Sequence, residues 1–312
     1  CLIVITGWRS LITGAATRAR CTASARSRLF SVSSRCNKAM CVDARGCSRV
    51  RWAPPLGVSL RELTVKQTAE SLRNRKSTTH IPMLTAYTTP VARSLEKAGI
   101  PVLLVGDTVG MVEMGFDSTR HVTIEHMEYH VGAVRRGAPN THIIGDLPYD
   151  SDRDPETALV SAKRLLTAGA DSVKLEGPKY DVIRYLIDHG VAVVGHTGLT
   201  PQTAANFKQV GREASEAELV LAEAAGIAEA GAFLVVLEHI PDVLAETITR
   251  SIAVPTIGIG AGSACDGQVL VINDAIGLGE KWPPFSRQYA YVGDTILTVA
   301  TEFSREVREK TF

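Results

Sequence analysis

The chain has 312 residues, 45% of them apolar, and its 34 Lys and Arg almost balance 33 Asp and Glu for a net charge of +1. That balance argues against a nucleic-acid surface built on bulk positive charge, and no apolar run approaches the roughly 18 residues that span a bilayer. The length fits two domains of about 150 residues or one α/β barrel of about 250 residues with a tail.

The charge is unevenly spread. Residues 1–53 hold nine Arg, one Lys and one acid, Asp43, a net +9 that leaves −8 for the rest. This leader is rich in Ser and Ala and nearly free of acids, which are marks of an organellar transit peptide. Residues 1–56 are therefore expected to be a mitochondrial targeting segment. The alternative is a disordered extension or translated upstream sequence, in keeping with Cys rather than Met at the first position. Five of the six cysteines lie in the leader without a CxxC pair or a His, so no zinc site is expected there. The body, with Cys265 alone, reads as a reduced intracellular protein.

Residues 57–312 form the second region. Residues 57–78 read as a helix ahead of the first strand, placed to close the bottom of a barrel. From residue 81 apolar runs of strand length alternate with segments of helical period. The runs are "IPMLTAY" (81–87), "PVLLVGD" (101–107), "HIIGDLP" (142–148), "SVKLEG" (172–177), "VAVVGHTG" (191–198), "FLVVLEH" (233–239), "PTIGIGAG" (255–262) and "QVLVIND" (268–274). They are too uniformly apolar for half-exposed antiparallel strands and suit a parallel sheet covered on both faces. Helical segments follow most of them, several ending in Gly as a helix C-cap should. The segment 287–310 reads as a closing helix. Eight such units predict an α/β fold, a (β/α)₈ TIM barrel, with an open doubly wound sheet as the competitor.

In such a barrel the active site lies at the C-terminal strand ends. Five consecutive predicted strands carry a polar tip there: Asp107, Asp146, Lys174 with Glu176, His196 and Glu238. Each has a quieter reading. Asp107 and Asp146 could cap turns, Lys174 and Glu176 could form a structural ion pair, His196 could bond backbone, and Glu238 could cap the helix near Pro241. Independent turn caps, however, need not gather on adjacent strands. "GIGAG" lacks the full dinucleotide-binding pattern and reads as glycines making room. Two Asp and a Glu form a hard-oxygen set suited to Mg²⁺, which needs few protein ligands when a 2-oxo acid supplies oxygens. Such an ion would polarise the ketone while a carboxylate removes the adjacent proton. The residues by themselves lead to metal-assisted carbanion chemistry and leave the reaction open.

"VGDTVGMVEMGFDSTRHVT" (105–123), "GDLPY" (145–149), "VKLEG" (173–177), "GHTGLTPQ" (195–202), "LEHIP" (237–241) and "IGIGAGSACDGQVLVINDAIGL" (257–278), in this order, resemble ketopantoate hydroxymethyltransferase over roughly residues 58–310. The resemblance implies transfer of a one-carbon unit from 5,10-methylenetetrahydrofolate to 3-methyl-2-oxobutanoate, giving 2-dehydropantoate on the way to pantothenate and coenzyme A. It implies a Mg²⁺-dependent barrel and a large homo-oligomer, usually a decamer. It implies Asp107, Asp146 and Glu176 as metal ligands, and Asp107, Thr108, Asp146, Lys174 and His196 as keto-acid contacts. Glu238 would be the base at C3, and the enolate would attack the methylene carbon of the folate iminium. A Mg²⁺-dependent 2-oxo-acid C–C lyase and a non-catalytic barrel kept as a binding partner are the other readings. Four departures from the family pattern stand out. Thr88 replaces an Asp and Thr108 a Ser, the segment 203–217 is short, and "PPFSR" (283–287) lacks its first Lys.

Overall fold

The computed structural model describes residues 66–279 and 281–312, so the leader and residues 57–65 lie outside the described residues. The eight strands are β1 Ile81–Thr85, β2 Val102–Val105, β3 His142–Asp146, β4 Ser172–Glu176, β5 Val193–Gly198, β6 Leu234–Glu238, β7 Thr256–Ile259 and β8 Gly267–Leu270. They form a closed parallel barrel in sequential order, with β8 paired to β1. Closure rules out the open doubly wound sheet. The outer helices are α2 Thr89–Lys97, α4 Ile124–Gly137, α5 Pro155–Ala168, α6 Tyr180–Asp188, α7 Ala214–Glu229 and α8 Asp242–Ser251, with the short α3 Val109–Val112 after β2. Local signals start and stop them. Asp154 accepts from Thr157 N–H at the head of α5, Pro155 takes the first turn, and Gly169 in left-handed conformation ends it.

Alternate strand residues separate two cores. Val105, Ile143, Val173, Leu175, Val193, Val235 and Leu237 face outward and pack with the helices. Met83, Leu104, Ile144, Val194, Leu234, Val236 and Ile257 fill the barrel interior. The period of two sets both columns, and burial on both faces is why the strands read as unbroken apolar runs. Below the barrel, α1 Ala69–Arg73 inserts Leu72 into the interior core, so the expected plug is present, though its described helix is one turn long.

Two expectations differ, the extent of the eighth strand and the role of the last helix. No helix separates β7 from β8, and the run through Asn273 and Asp274 is a strand only as far as Leu270. It continues as α9 Ile272–Ala275, because the periodicity of a short apolar run does not distinguish strand from helix. The last helix, α10 Val292–Glu309, does not close the barrel: none of its residues is buried, and Ile296, Leu297, Val299 and Phe303 are exposed.

Asp266 ties the bottom of the barrel together. Its carboxylate accepts from Thr256 N–H at 2.9 Å, Ser77 N–H at 2.8 Å and Lys76 Nζ at 2.9 Å, joining the plug to β7 and β8. Burial raises its pKa, but Lys76 and the backbone donors prevail and hold it low. Asp266→Asn is expected to cost about 2–4 kcal/mol in urea denaturation at pH 7. A depressed pKa gives stability that is present above the ordinary carboxylate range and lost as pH falls through the folded value. The difference between parent and variant should therefore shrink below about pH 4.

Candidate active site

The inward columns of β3 to β6 end in polar side chains, and strand register sets their partners. Asp146 on β3 stands beside Lys174 on β4, and Glu176 beside His196 on β5. Gly198, two residues past His196, stands beside Glu238 on β6. Lys174 Nζ bonds both oxygens of Asp146, at 2.7 and 2.8 Å. The ion pair across strands replaces the Lys174–Glu176 pair weighed from sequence. Glu176 instead lies 3.4 Å from His196 Nδ1, and Glu238 lies 3.3 Å from His196 Nε2. The imidazole thus bridges two carboxylates by ion pairing rather than by well-aligned hydrogen bonds, and it does not bond backbone. The glycines around it have separate tasks. A Cβ on Gly195 would stand 2.1 Å from Ile227 of α7, and one on Gly198, at φ +97°, 2.4 Å from the Glu238 carbonyl oxygen.

Asp107, just beyond β2, joins the cluster from the other side. Its backbone N–H points to Asp146 at 3.3 Å, and its carboxylate accepts from the Gln202 amide at 2.8 Å. The same amide reaches the Leu147 carbonyl at 3.0 Å, and Gln202 N–H donates to Glu176 at 3.1 Å. Thr108 follows half-buried at the head of α3, whose cap makes no side-chain bond. Pro241 caps α8 without a side-chain bond, so Glu238 is not a helix cap. On the β6–β7 side, Phe285 of "PPFSR" packs against His239 with centroids 5.3 Å apart and the rings tilted by 44°, and it fills the space left by Gly260. The short loop after β5 is held by Val210 N–H on the His239 carbonyl at 3.0 Å.

Burial governs the charges. It raises Asp107 well above the ordinary carboxylate range, and the neighbouring Asp146 adds to the rise. Asp146 is also raised by burial, against the pull of Lys174. For Glu176 burial is overcome by His196 and Lys174, and its pKa falls. Burial would neutralise His196, but Glu176 and Glu238 outweigh it and hold the ring at about 9. His196 is therefore an imidazolium at neutral pH.

The expected metal ligands share one rim but are differently engaged. Among the described residues, no three His, Cys, Asp or Glu side chains are grouped closely enough to hold a metal ion. Mg²⁺ does not require three, since one or two carboxylates suffice when water and substrate complete the shell. Asp107 and Asp146 are neighbouring hard-oxygen donors at this rim, and burial, above all, raises both carboxyl pKa values. That pair fits a hard divalent cation, with Glu176 alongside.

Two site residues escaped the sequence reading. Gln202 lies in the quoted "LTPQ", but a neutral loop residue carries no charge signal. Tyr87 looked like the apolar end of the β1 run. It is 1% exposed, its hydroxyl has no hydrogen-bond partner, and the nearby Thr85 hydroxyl already accepts from Ile272 N–H at 2.9 Å. Charges on Asp107, Glu113 and Asp146 bear on that phenol. Tyr87→Phe is expected to leave the melting temperature equal or higher, since an unsatisfied buried hydroxyl costs about 1–3 kcal/mol. The same change should raise KM for the keto acid several-fold. An unchanged KM would show that the hydroxyl does not serve the substrate.

A closed (β/α)₈ barrel with a buried charged cluster at its C-terminal rim defines a barrel enzyme. The model of the family described as ketopantoate hydroxymethyltransferase matches residues 66–312. The chain belongs to that family, and the enzyme is a transferase. A 3-methyl-2-oxobutanoate hydroxymethyltransferase of Desulfotalea psychrophila is 47% identical over 240 residues, 74% of this chain and 86% of that protein. A protein of the same name from Thermus thermophilus is 45% identical over 255 residues, covering 80% of this chain and 97% of its own. Among solved structures, 2,3-dimethylmalate lyase of the PEP mutase/isocitrate lyase superfamily aligns with TM-score 0.52 at 16% identity, covering 78% of this chain and 88% of its own. At that identity the likeness concerns the fold alone.

Proposed function

We propose that the enzyme transfers a hydroxymethyl group from 5,10-methylenetetrahydrofolate to 3-methyl-2-oxobutanoate, forming 2-dehydropantoate for pantothenate synthesis. The observation that carries this reading is the register that lines Asp146, Lys174, Glu176, His196 and Glu238 along one rim, beside Asp107. Two relatives that are 47% and 45% identical bear the name of that activity.

Asp107 and Asp146 would hold Mg²⁺, with Glu176 alongside, and the bound ion would polarise the ketone and favour the enolate. Lys174 offsets the negative charge of the substrate carboxylate or of the enolate. Glu238, with an 18% exposed side chain, takes the proton from C3. His196, as an imidazolium between Glu176 and Glu238, fixes the direction of the base. Thr108 offers a hydroxyl to the substrate. The carbanionic C3 then bonds to the methylene carbon as its bond to one folate nitrogen breaks, water displaces the other nitrogen and supplies the hydroxyl, and the protons lost by C3 and by water end on the two nitrogens of the departing tetrahydrofolate. Assembly into a homo-oligomer, in keeping with the exposed apolar side chains of α10, and mitochondrial targeting by residues 1–56 belong to the same proposal.

The test is deuterium uptake at C3 of 3-methyl-2-oxobutanoate in D₂O with Mg²⁺, followed by product formation with and without methylenetetrahydrofolate. Exchange without the folate and 2-dehydropantoate only with it are expected. Absence of exchange would mean a non-catalytic barrel. Cleavage of a 2-oxo-acid C–C bond without folate would mean a lyase.

A further inference from the structure

We propose that a cavity beside the reaction centre, between the ends of β4 and β5 and the first turns of α7, seats the pterin ring of the folate donor, with the buried Asp152 carboxylate as an acceptor. This rests on the transfer reaction proposed above, which needs a second, bulky substrate within reach of C3 of the keto acid.

The cavity has a volume of about 540 Å³, enough for a bicyclic heteroaromatic ring. Glu176 and Gln202 line it and also belong to the charged rim, so an occupant touches the reaction centre. Pro178, Val210, Leu219 and Val220 give it apolar wall. Asp152 lines it with its side chain fully buried. One Asp152 oxygen takes the Lys179 ammonium at 2.6 Å, and the other, Oδ2, has no hydrogen-bond partner. A buried carboxylate oxygen without a donor is costly and calls for one. Glu223, also on the lining, already accepts the Thr197 hydroxyl at 2.5 Å and has a second oxygen to offer.

The chemistry of this lining selects its guest. Acceptors predominate inside, so a small anion such as the keto acid is disfavoured there and belongs at the rim beside Lys174. A reduced pterin has the complementary character: an amino group and ring N–H donors along one edge, and apolar faces. A carboxylate accepts such adjacent donors well. The glutamate tail of a folate is anionic and must leave the cavity. Tyr149, on the lining, carries Arg120 over its ring at 4.4 Å and accepts a hydrogen bond from it at 2.9 Å. An aromatic ring backed by a guanidinium suits the aminobenzoyl group and the carboxylates beyond it.

Two variants of the full chain test the assignment, with binding of tetrahydrofolate lacking a one-carbon unit read by calorimetry. Asp152→Asn can place an amide donor against the pterin donors and is expected to weaken binding at least tenfold. Leu219→Trp, at a position 59% exposed and therefore tolerant, fills the cavity mouth and should weaken binding comparably. Deuterium exchange at C3 of 3-methyl-2-oxobutanoate with Mg²⁺ should stay within twofold of the parent in both, because the keto-acid site is untouched. Tetrahydrofolate affinity equal to the parent's in both variants would overturn the assignment. Absence of exchange in the parent would count against the transfer reaction instead, and the tetrahydrofolate titration would still decide the cavity.

Discussion

Glu238→Gln is expected to slow deuterium exchange at C3 of 3-methyl-2-oxobutanoate by about 10²–10⁴-fold, the usual contribution of a positioned general base. Keto-acid binding should change by less than about threefold, because the amide keeps the shape of the carboxylate, and the charge it gives up faces His196, which keeps its pairing with Glu176. The geometry favours this split. Glu238 is the more exposed of the two carboxylates on His196, while Glu176 is 5% exposed and also held by Gln202 N–H. The pH dependence follows from the imidazolium. The His196 pKa is raised to about 9, so its charge is present at neutral pH and is lost as pH rises through that value. Exchange by the parent should therefore fall on an alkaline limb near pH 9. Weak binding with unchanged exchange per bound substrate would remove Glu238 from the role of base.

Lys174→Met should destabilise the fold by about 3–5 kcal/mol at pH 7, the range for stripping one partner from a buried ion pair. The Lys174 and Asp146 side chains are 6% and 2% exposed, and both ammonium–carboxylate contacts are short. Burial lowers the pKa of Lys174, but the charges of Asp146, Glu176 and Asp107 overcome it and raise it above the ordinary lysine value. Without that ammonium, the neighbouring acids are left mainly to the charge on His196. The deficit should shrink as pH is lowered from 7 to 5. Asp107 and Asp146 have raised folded pKa values, so the folded state takes up protons that the unfolded state does not, and acid favours it. Thermal denaturation at the two pH values measures this. A variant as stable as the parent, or equally impaired at both pH values, would show that Lys174 does not carry the charge balance.

The polar tips were legible because charged residues at the ends of apolar runs violate the strand pattern. Their pairing was not. Lys174 and Glu176 are two residues apart and share a face, yet Lys174 bonds Asp146, because the neighbour is chosen by strand register and not by chain proximity. Gln202 and Tyr87 illustrate a second limit: a neutral amide that bonds Asp107 and a buried phenol without a partner carry no charge that composition would mark. The barrel itself was readable because every strand between β2 and β6 is sheltered on both faces. At the eighth unit the signal failed. The apolar run from Val269 to Ile272 passes through the change from strand to helix without a break, and Ile272, Asn273, Asp274 and Ala275 are all buried. For α10, a helical pattern shows which side chains favour burial but not what they meet.

The seam between β1 and β8 has a consequence for synthesis on the ribosome. Ile81 pairs with Gly267 and Leu84 with Leu270, so the first strand cannot find its last partner until nearly all of the barrel has been translated. At about 5–20 residues per second that wait is on the order of ten to forty seconds. Throughout it, β1 presents an unpaired parallel edge, the kind of surface that recruits other nascent chains. Pro82 does not blunt it, because the backbone donor on that side is the Ile81 N–H, which in the finished barrel bonds the Asp266 carbonyl, while the Pro82 nitrogen faces β2. A chain that stops short of Gly267 would keep that edge open permanently and is expected to aggregate rather than settle into a smaller barrel.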